Sequence, residues 1–377
     1  MRRRARRGCR VLGIVLIATG IGAGASPVAP SGGSTERARA LFLMGTRLEI
    51  TLPTAVPEKA FDEAFAEVAR LETILSNWRG ESELSRLNRS AATTPFVCSP
   101  DLFGALQASL RFARETAGAF DPTVEPLVRR FGLRPFEGRL PGVAAEGDGS
   151  RAEDGAGSAA AVILGWRHVH LDPHARSAFF DAPGLGIDFG GIGKGIGLDA
   201  AARILARRGV RTALLDFGGQ VLGLGAPRGE AGWPIGVAAP GDRERAALSL
   251  TLRDLSASTS GNDERSVRGP QGPIGQILDP ARRAPASFAG TVTVLHREAT
   301  AADALSTALF VMGPERGSAW AESRGLAALF LWRGPDGAFR RRATRAFIQV
   351  QEQAEKGAGK AGRRVTQPGA AAPADAR

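Results

Sequence analysis

Residues 187–199 read IDFGGIGKGIGLD, with glycines at 190, 191, 193, 195 and 197 around a single lysine. Residues without a Cβ let backbone amides and carbonyls come close to a ligand, and Lys194 adds a positive charge among them. The same composition also suits a plain glycine-rich turn between a strand and a helix. It is not a Walker-type phosphate loop, because no Ser or Thr follows a Gly-Lys pair, and GxGxxG is missing from the context a dinucleotide site needs. A helical stretch near 194–208 follows, and then a second glycine-bearing run, LLDFGGQVLGLG, at 214–225.

Outward from this centre, strand-like runs recur at 162–171, 212–216, 248–252 and 291–296, with a further helix near 300–312. Upstream, residues 41–52 (LFLMGTRLEITL) combine apolar and β-branched residues and predict a strand. Residues 57–75 set Phe61, Phe65, Val68, Leu71 and Leu75 at helical spacing. Another helix is predicted over about 100–117, ended by Gly118. Strands and helices mix without regular βαβ alternation or internal repeats, which predicts an α+β domain. That domain spans 41–350. Residues 26–40 read as a flexible lead-in, 141–160 (PGVAAEGDGSRAEDGAGSAA) as a mobile insertion, and 351–377, poor in large apolar side chains, as a disordered tail.

Two other stretches hold chemistry-bearing side chains. In TAGAFDPTVEPLVRRFG (116–132), Asp121 and Thr123 flank Pro122, where they either hold a ligand hydroxyl or close their own turn. In ADALSTALFVMG (302–313), Asp303 and Thr307 stand four apart and share a helical face. Both can turn oxygen toward a hard cation such as Mg2+, although an Asp near a helix amino terminus is also favourable simply as a charge.

The chain has 377 residues, 43% of them hydrophobic, enough for a sizeable core. Its formal charge of +11 suggests nucleic acid at first sight, yet six of the arginines fall within residues 1–10. A further net three positive charges lie in 355–377, so only two of the eleven remain for the body of the chain. A basic groove is therefore not supported, and no nucleic-acid partner is expected. The arginines precede an apolar run, VLGIVLIATGIGAGA (11–25), that ends in Ala23-Gly24-Ala25, a small-residue cleavage pattern. Residues 1–25 read as a signal peptide and place the protein outside the cytoplasm, in the periplasm or cell envelope. An uncleaved segment would tie it to the membrane. Arg6 and Arg7 leave a twin-arginine route open beside the general one. Of the two cysteines, Cys9 precedes the cleavage site and lacks a lipobox, while Cys98 reads as a small core residue, so the mature chain forms no internal disulfide.

Taken in order, MGT (44–46), LSNWRGESELSRLN (75–88), GAFDPTVEPLV (118–128), IDFGGIGKGIGLD (187–199), LDFGG (215–219), STSGN (258–262), ILDP (277–280) and ADALSTAL (302–309) resemble the FAD:protein FMN transferase (ApbE) family. The resemblance covers roughly 270 residues. It implies a single large α+β domain with mixed or antiparallel sheets flanked by helices around a central flavin cleft. It also implies an enzyme that binds FAD, places Mg2+ on its pyrophosphate, and transfers FMN to a Thr or Ser hydroxyl of an exported or membrane-bound redox protein, releasing AMP. Carried over residue by residue, Asp303, Thr307 and the Gly193 carbonyl look like metal ligands. Met44, Trp78, Asp121, Thr123, Asp188, Gly190, Gly191, Lys194, Gly218, Gly219, Ser260 and Gly261 line the FAD cleft in the same reading, Trp78 as a flat ring beside the flavin or as a cap on the core. Asp199 matches the pattern too, with a structural helix role open beside it.

One departure concerns catalysis. Relatives carry a His in an HxxDPxTG block, and here the matching residues are Gln276 and Asp279, with no Thr-Gly after Pro280. Gln276 can hydrogen-bond but cannot take up a proton near neutral pH. Two other readings therefore stand beside the transferase: an FAD pyrophosphatase, in which water replaces the acceptor, and a flavin-binding accessory or carrier protein. His296 is a weak substitute base, and His168, His170 and His174 read as parts of an exposed strand and turn, with His168 and His170 on one face.

Overall fold

A computed structural model describes residues 35–133, 163–262, 266–269 and 272–360. The expected signal peptide, the insertion at 141–160, most of the lead-in and residues 361–377 lie outside the described residues.

The chain opens with strands β1 (Glu36–Leu43) and β2 (Thr46–Pro53), then α1 (Glu58–Leu75), α2 (Glu83–Ser90), β3 (Phe96–Val97), α3 (Pro100–Glu115), a 3-10 turn at Pro122–Val124 and α4 (Glu125–Arg130). After a 3-10 turn at Trp166–His168 come β4 (Val169–Asp172), β5 (Ser177–Phe180), α5 (Gly193–Arg207), β6 (Ala213–Phe217), β7 (Gln220–Leu224), β8 (Trp233–Ala239), β9 (Asp242–Leu252) and β10 (Leu255–Gly261). The remainder comprises β11 (Ser266–Gly269), β12 (Gly272–Gly275), β13 (Leu278–Asp279), β14 (Ala284–Pro285), β15 (Gly290–His296), α6 (Ala299–Glu322), β16 (Ala327–Arg333), β17 (Phe339–Ala343) and α7 (Arg345–Lys360).

Eight strands form one sheet in the order β1-β2-β6-β7-β10-β15-β16-β17, antiparallel at every step. Alternation along each strand sends side chains to opposite faces. On one face Leu48, Ile50, Leu215 and Phe217 pack with Phe61, Phe65 and Val68 of α1 and with Leu198 and Leu205 of α5. On the other, Leu214, Val221 and Leu329 pack with Trp233, Ile235 and Leu252 of the β8–β9 hairpin and Phe347 of α7. A third cluster joins α2, α3 and α6 to the β4–β5 hairpin. Cys98 lies in it, buried, and burial pushes its thiol up to about 11, so it remains a neutral core residue. The α+β expectation is thus met by helices gathered against an antiparallel sheet.

Several boundaries differ from the sequence reading. Residues 41–52 are two strands, because Met44 (φ 47) and Gly45 (φ 74) form a left-handed two-residue turn. The chain is ordered into β1 from Glu36, inside the expected lead-in. Its apolar signal is weak because Arg37 and Arg39 pair with Glu58 and Asp62 of α1. Residues 162–171 are a 3-10 turn and a short strand among the described residues. Helix α6 continues past 312, with a break at Gly313 (φ 74) before Pro314. At the end of the domain, α7 runs to Lys360, ten residues into the expected tail, since its Ala, Glu, Gln and Lys residues are good helix formers once Phe347 has anchored the first turn.

Helices α5 and α6 meet with backbone nearly touching backbone. A Cβ on Gly195 would lie 2.4 Å from the Ala299 carbonyl oxygen and 2.6 Å from the Thr300 Cα, and only glycine fits there. Gly195→Ala should therefore force the helices apart at a cost of about 1–3 kcal/mol or more. Thermal unfolding followed by circular dichroism should show a midpoint lower by several degrees, and an unchanged midpoint would contradict this packing.

Candidate active site

Several polar groups converge on Asp303, on the second turn of α6 and 2% exposed. Its Oδ2 accepts the Gly195 N–H at 3.0 Å, and its Oδ1 lies 3.1 Å from Lys194 Nζ and 3.5 Å from Ser258 Oγ. An isolated buried carboxylate would be costly, so the lysine and the helix amide explain how this one is held. Ser306 Oγ bonds the Asp303 carbonyl at 2.9 Å and stands 3.2 Å from Ser258 Oγ and 2.8 Å from Ser260 Oγ. Ser260 Oγ is 3.4 Å from Thr307 Oγ1. Strand β10 projects Ser258 and Ser260 to one face by its period of two, and α6 meets them with residues 303, 306 and 307, one helical turn.

The glycine-rich turn borders this cluster. A Cβ on Gly191 would come 3.1 Å from Thr307 Oγ1 and 3.3 Å from Phe120, so the turn packs closely against Thr307. Gly193 is the first residue of α5 and directly precedes Lys194. Asp188 is fixed from three sides: its N–H donates to the Pro122 carbonyl at 2.7 Å, Oδ1 accepts the Gly190 N–H at 2.7 Å, and Oδ2 accepts from Asn77 Nδ2 at 3.0 Å. Asn88 clamps the same segment, accepting the Ile187 N–H at 2.8 Å and donating to the Ile187 carbonyl at 2.9 Å. Trp78, next to Asn77, stands at the surface, 43% exposed, and does not cap the core.

Other predicted residues lie in supporting positions. Both oxygens of Asp121 are occupied, Oδ1 by the Thr123 N–H (2.9 Å) and hydroxyl (2.7 Å) and Oδ2 by the Trp166 N–H (3.1 Å). The Thr123 hydroxyl also accepts the Gly165 N–H at 2.8 Å. This pair closes its own turn and pins residues 165–166. Burial raises the Asp121 carboxyl above its usual range, and those hydrogen bonds oppose the shift. The amides of Gly218 and Gly219 are likewise engaged, by the Arg47 carbonyl and by Asp216. Asp199 accepts the Ala299 and Thr300 N–H groups at 2.9 Å each, which gives it a helix role at the start of α6.

The ILDP block lies beyond β10. Asn262 Oδ1 accepts the Ile277 N–H at 3.3 Å, which sets half-buried Gln276 beside the strand end that continues from Ser260 and Gly261. Asp279 turns its Oδ1 back to the Ala281 and Arg282 amides at 3.0 and 3.1 Å, a turn-closing role. His296 Nδ1 accepts the Glu298 N–H at 3.0 Å, ahead of α6. His168 and His170 share one side, as the strand pattern predicts, and each lies 2.6 Å from one oxygen of Asp181. His174 is exposed in the β4–β5 turn.

Asp303, Thr307, Lys194, Gly191, Gly193 and Ser260 therefore share one neighbourhood, and Asp188 and Gly190 adjoin it. Asn77, Asn88, Ser258 and Ser306 were missed as individual residues, although each lies in or beside a matched block. Asn88 inside a short helix was the available signal, since asparagine is a poor helix former without a partner to hold. No group of three or more His, Cys, Asp or Glu side chains is arranged for a metal among the described residues. One carboxylate among hydroxyls and a glycine-rich backbone nevertheless forms an all-oxygen donor set. That suits a hard cation that takes its remaining ligands from phosphate and water.

A family model described as the ApbE family matches residues 44–330. The chain is 29% identical over 319 residues to the FAD:protein FMN transferase of Treponema pallidum, covering 79% of this chain and 84% of that protein. It is 30% identical over 275 residues to the FAD:protein FMN transferase of Vibrio cholerae, covering 72% and 79%. Among solved structures, the flavin transferase ApbE from Vibrio cholerae aligns with TM-score 0.69 at 27% identity, over 83% of this chain and 98% of that one. The apbe protein from Thermotoga maritima aligns with TM-score 0.72 at 26% identity, over 84% and 99%. With a family model spanning most of its length and the same fold in these relatives, the chain belongs to the ApbE family.

Proposed function

We propose that this protein transfers the FMN half of FAD, in a Mg2+-dependent reaction, to a Thr or Ser hydroxyl of an exported or membrane-bound redox protein, releasing AMP. The observation that carries this reading is the buried Asp303 carboxylate, held by Lys194, the Gly195 amide and a serine ladder beside the glycine-rich turn. The relatives named as FAD:protein FMN transferases support the flavin substrate and the protein acceptor. Residues 1–25 support export.

In the reaction the acceptor oxygen bonds to the phosphorus of the FMN half, the bridging P–O bond breaks with its electron pair leaving on AMP, and the hydroxyl proton passes to water or to the departing phosphate. Asp303, Thr307 and the Gly193 carbonyl would hold Mg2+, which supplies neutralisation of charge on the pyrophosphate oxygens. Lys194 brings a second positive charge to the same oxygens. Trp78 offers an exposed ring for stacking on the flavin. Gln276 can orient a hydroxyl by a hydrogen bond without accepting its proton. That substitution favours the accessory or carrier protein as the second reading.

The deciding experiment incubates the mature chain with FAD, with and without Mg2+ and a candidate exported flavoprotein. Mg2+-dependent AMP together with covalent FMN on the acceptor is expected. AMP with free FMN and no acceptor labelling would indicate a pyrophosphatase, and retained FAD without AMP a carrier. Asp303→Ala should lower turnover by at least about 100-fold while the circular dichroism spectrum stays that of the parent. Turnover within a few-fold of the parent would remove Asp303 from the site. Ser306→Ala breaks the link between Ser258 and Ser260, so the Mg2+ concentration for half-maximal turnover should rise about fivefold to tenfold, the equivalent of roughly 1–1.4 kcal/mol. An unchanged Mg2+ dependence would leave Ser306 with a packing role alone.

A further inference from the structure

Two left-handed turns lie side by side at one end of the main sheet. Met44 and Gly45 close β1–β2, and Gly218 (φ 59) and Gly219 (φ 87) close β6–β7. The turns are in contact: the Gly218 N–H donates to the Arg47 carbonyl at 2.9 Å, and a Cβ on Gly218 would come 2.5 Å from Thr46 Oγ1. Asp216 fixes the second turn, since its Oδ1 accepts the Gly219 N–H at 2.8 Å.

The surroundings of Asp216 are unusual for a carboxylate. Glu49 stands directly opposite it across the β2–β6 pair, and Arg47, the neighbouring guanidinium, is bonded to Glu49. On the other side the opposing residue is Val221, and β7 carries no charged residue. Burial pushes the Asp216 carboxyl up to about 7. The Gly219 N–H and Arg47 oppose that shift, and Glu49 adds to it. Burial is the main cause, and the pairing of Arg47 with Glu49 leaves the guanidinium engaged with the other carboxylate.

We infer that Asp216 is a positioning residue for the flavin substrate, whose carboxylate clamps the Gly218–Gly219 turn and through it the adjoining Met44–Gly45 turn. The inference rests on the flavin reading above, because those turns carry Met44, Gly218 and Gly219, three of the residues assigned to the FAD cleft. An ionised carboxylate holds an N–H roughly twice as strongly as a neutral acceptor does. The clamp is tight when Asp216 is charged and slack when it is protonated, so flavin affinity falls as pH drops through the range around 7. Fold stability moves the other way. A carboxyl raised from its unfolded value near 4 toward 7 contributes its stability in the protonated form, and that stability is lost as pH rises through this window.

The test uses the full mature chain with 15N-labelled glycine and follows two quantities from pH 5.5 to 8.5. They are the Gly219 amide shift, which reads the clamp without flavin, and the dissociation constant for FAD. Asp216→Asn keeps the size of the side chain and an acceptor oxygen but cannot ionise. In the parent the Gly219 shift should titrate with a midpoint near 7 and the FAD dissociation constant should rise about threefold to tenfold from pH 8 to 6, whereas Asp216→Asn should be flat in both. The variant should also melt higher than the parent at pH 8.5, with a smaller difference at pH 5.5. A Gly219 shift that does not titrate, or an Asp216→Asn protein that keeps the parental pH profile for FAD, would overturn the inference. FAD binding absent from the parent at every pH would count against the flavin reading itself, while the amide titration would still report on the clamp.

Discussion

Everything at the centre of this molecule depends on how closely α5 approaches α6. Residue 195 has no side chain, so the first turn of α5 lies against the first turn of α6, and the Gly195 amide falls within hydrogen-bonding distance of the Asp303 carboxylate. A helix amino terminus carries unpaired N–H groups and partial positive charge, and a carboxylate placed there answers both. Lys194 completes the arrangement. The same crossing is held at its outer side by Asp199, which satisfies two amides at the start of α6, and by Gln220 Nε2, which donates to the Ala299 carbonyl at 2.7 Å. Moving either helix would therefore disturb Asp303, its Lys194 partner and the glycine-rich turn together.

The serine ladder shows how such a charge can sit inside a sheet-and-helix core. Ser258, Ser260 and Ser306 are all buried, and none carries a charge of its own. Their hydroxyls can reverse donor and acceptor roles, so the ladder can adjust to whatever Asp303 and Thr307 hold without moving the backbone. The β10 strand supplies two of them because it lies in the middle of an eight-stranded sheet, where its position is set by neighbours on both sides. The site is thus assembled on rigid elements. The loops bring only the parts that must reach a ligand from outside, among them the 190–193 turn and the segment carrying Trp78.

The fold and the centre of the site were legible in the sequence to different degrees. Asp303 and Thr307 could be paired because four residues is one helical turn, helix α1 followed from apolar spacing, and the end of α3 from Gly118. The order of matched blocks predicted a single α+β domain without revealing that β1 is the edge of the sheet, since a strand that pairs its arginines with a neighbouring helix has no apolar stripe. The roles of Asp121 and Thr123 were open for a physical reason. A carboxylate aimed at a ligand and one aimed at amides more than 40 residues away look identical in one dimension. Asn77 and Asn88 act through contacts distant in the chain, and Ser306 joins the ladder through Ser258 and Ser260 of β10. Asp216 was hidden for the same reason, because its neighbour Glu49 is 167 positions away and becomes its partner only through the β2–β6 register.

The replacement at position 276 can be weighed against the chemistry that a phosphorus centre requires. In a loose transition state the bond from the incoming oxygen is little formed, so the hydroxyl has lost little of its hold on its proton when the barrier is crossed. Proton removal then contributes less than neutralisation of the phosphate oxygens and alignment of the attacking oxygen. General base catalysis is typically worth 10²–10⁴-fold, and a loose transition state places its value toward the lower end. An amide at 276 can still hold a hydroxyl by a hydrogen bond, so what the exchange removes is the proton acceptor. Asp303, Lys194 and the glycine-rich backbone, the groups proposed to act on that charge, are in place. On this reasoning Gln276 would slow the proposed transfer rather than change its kind, since the exchange touches the smaller contribution and not the electrostatic one.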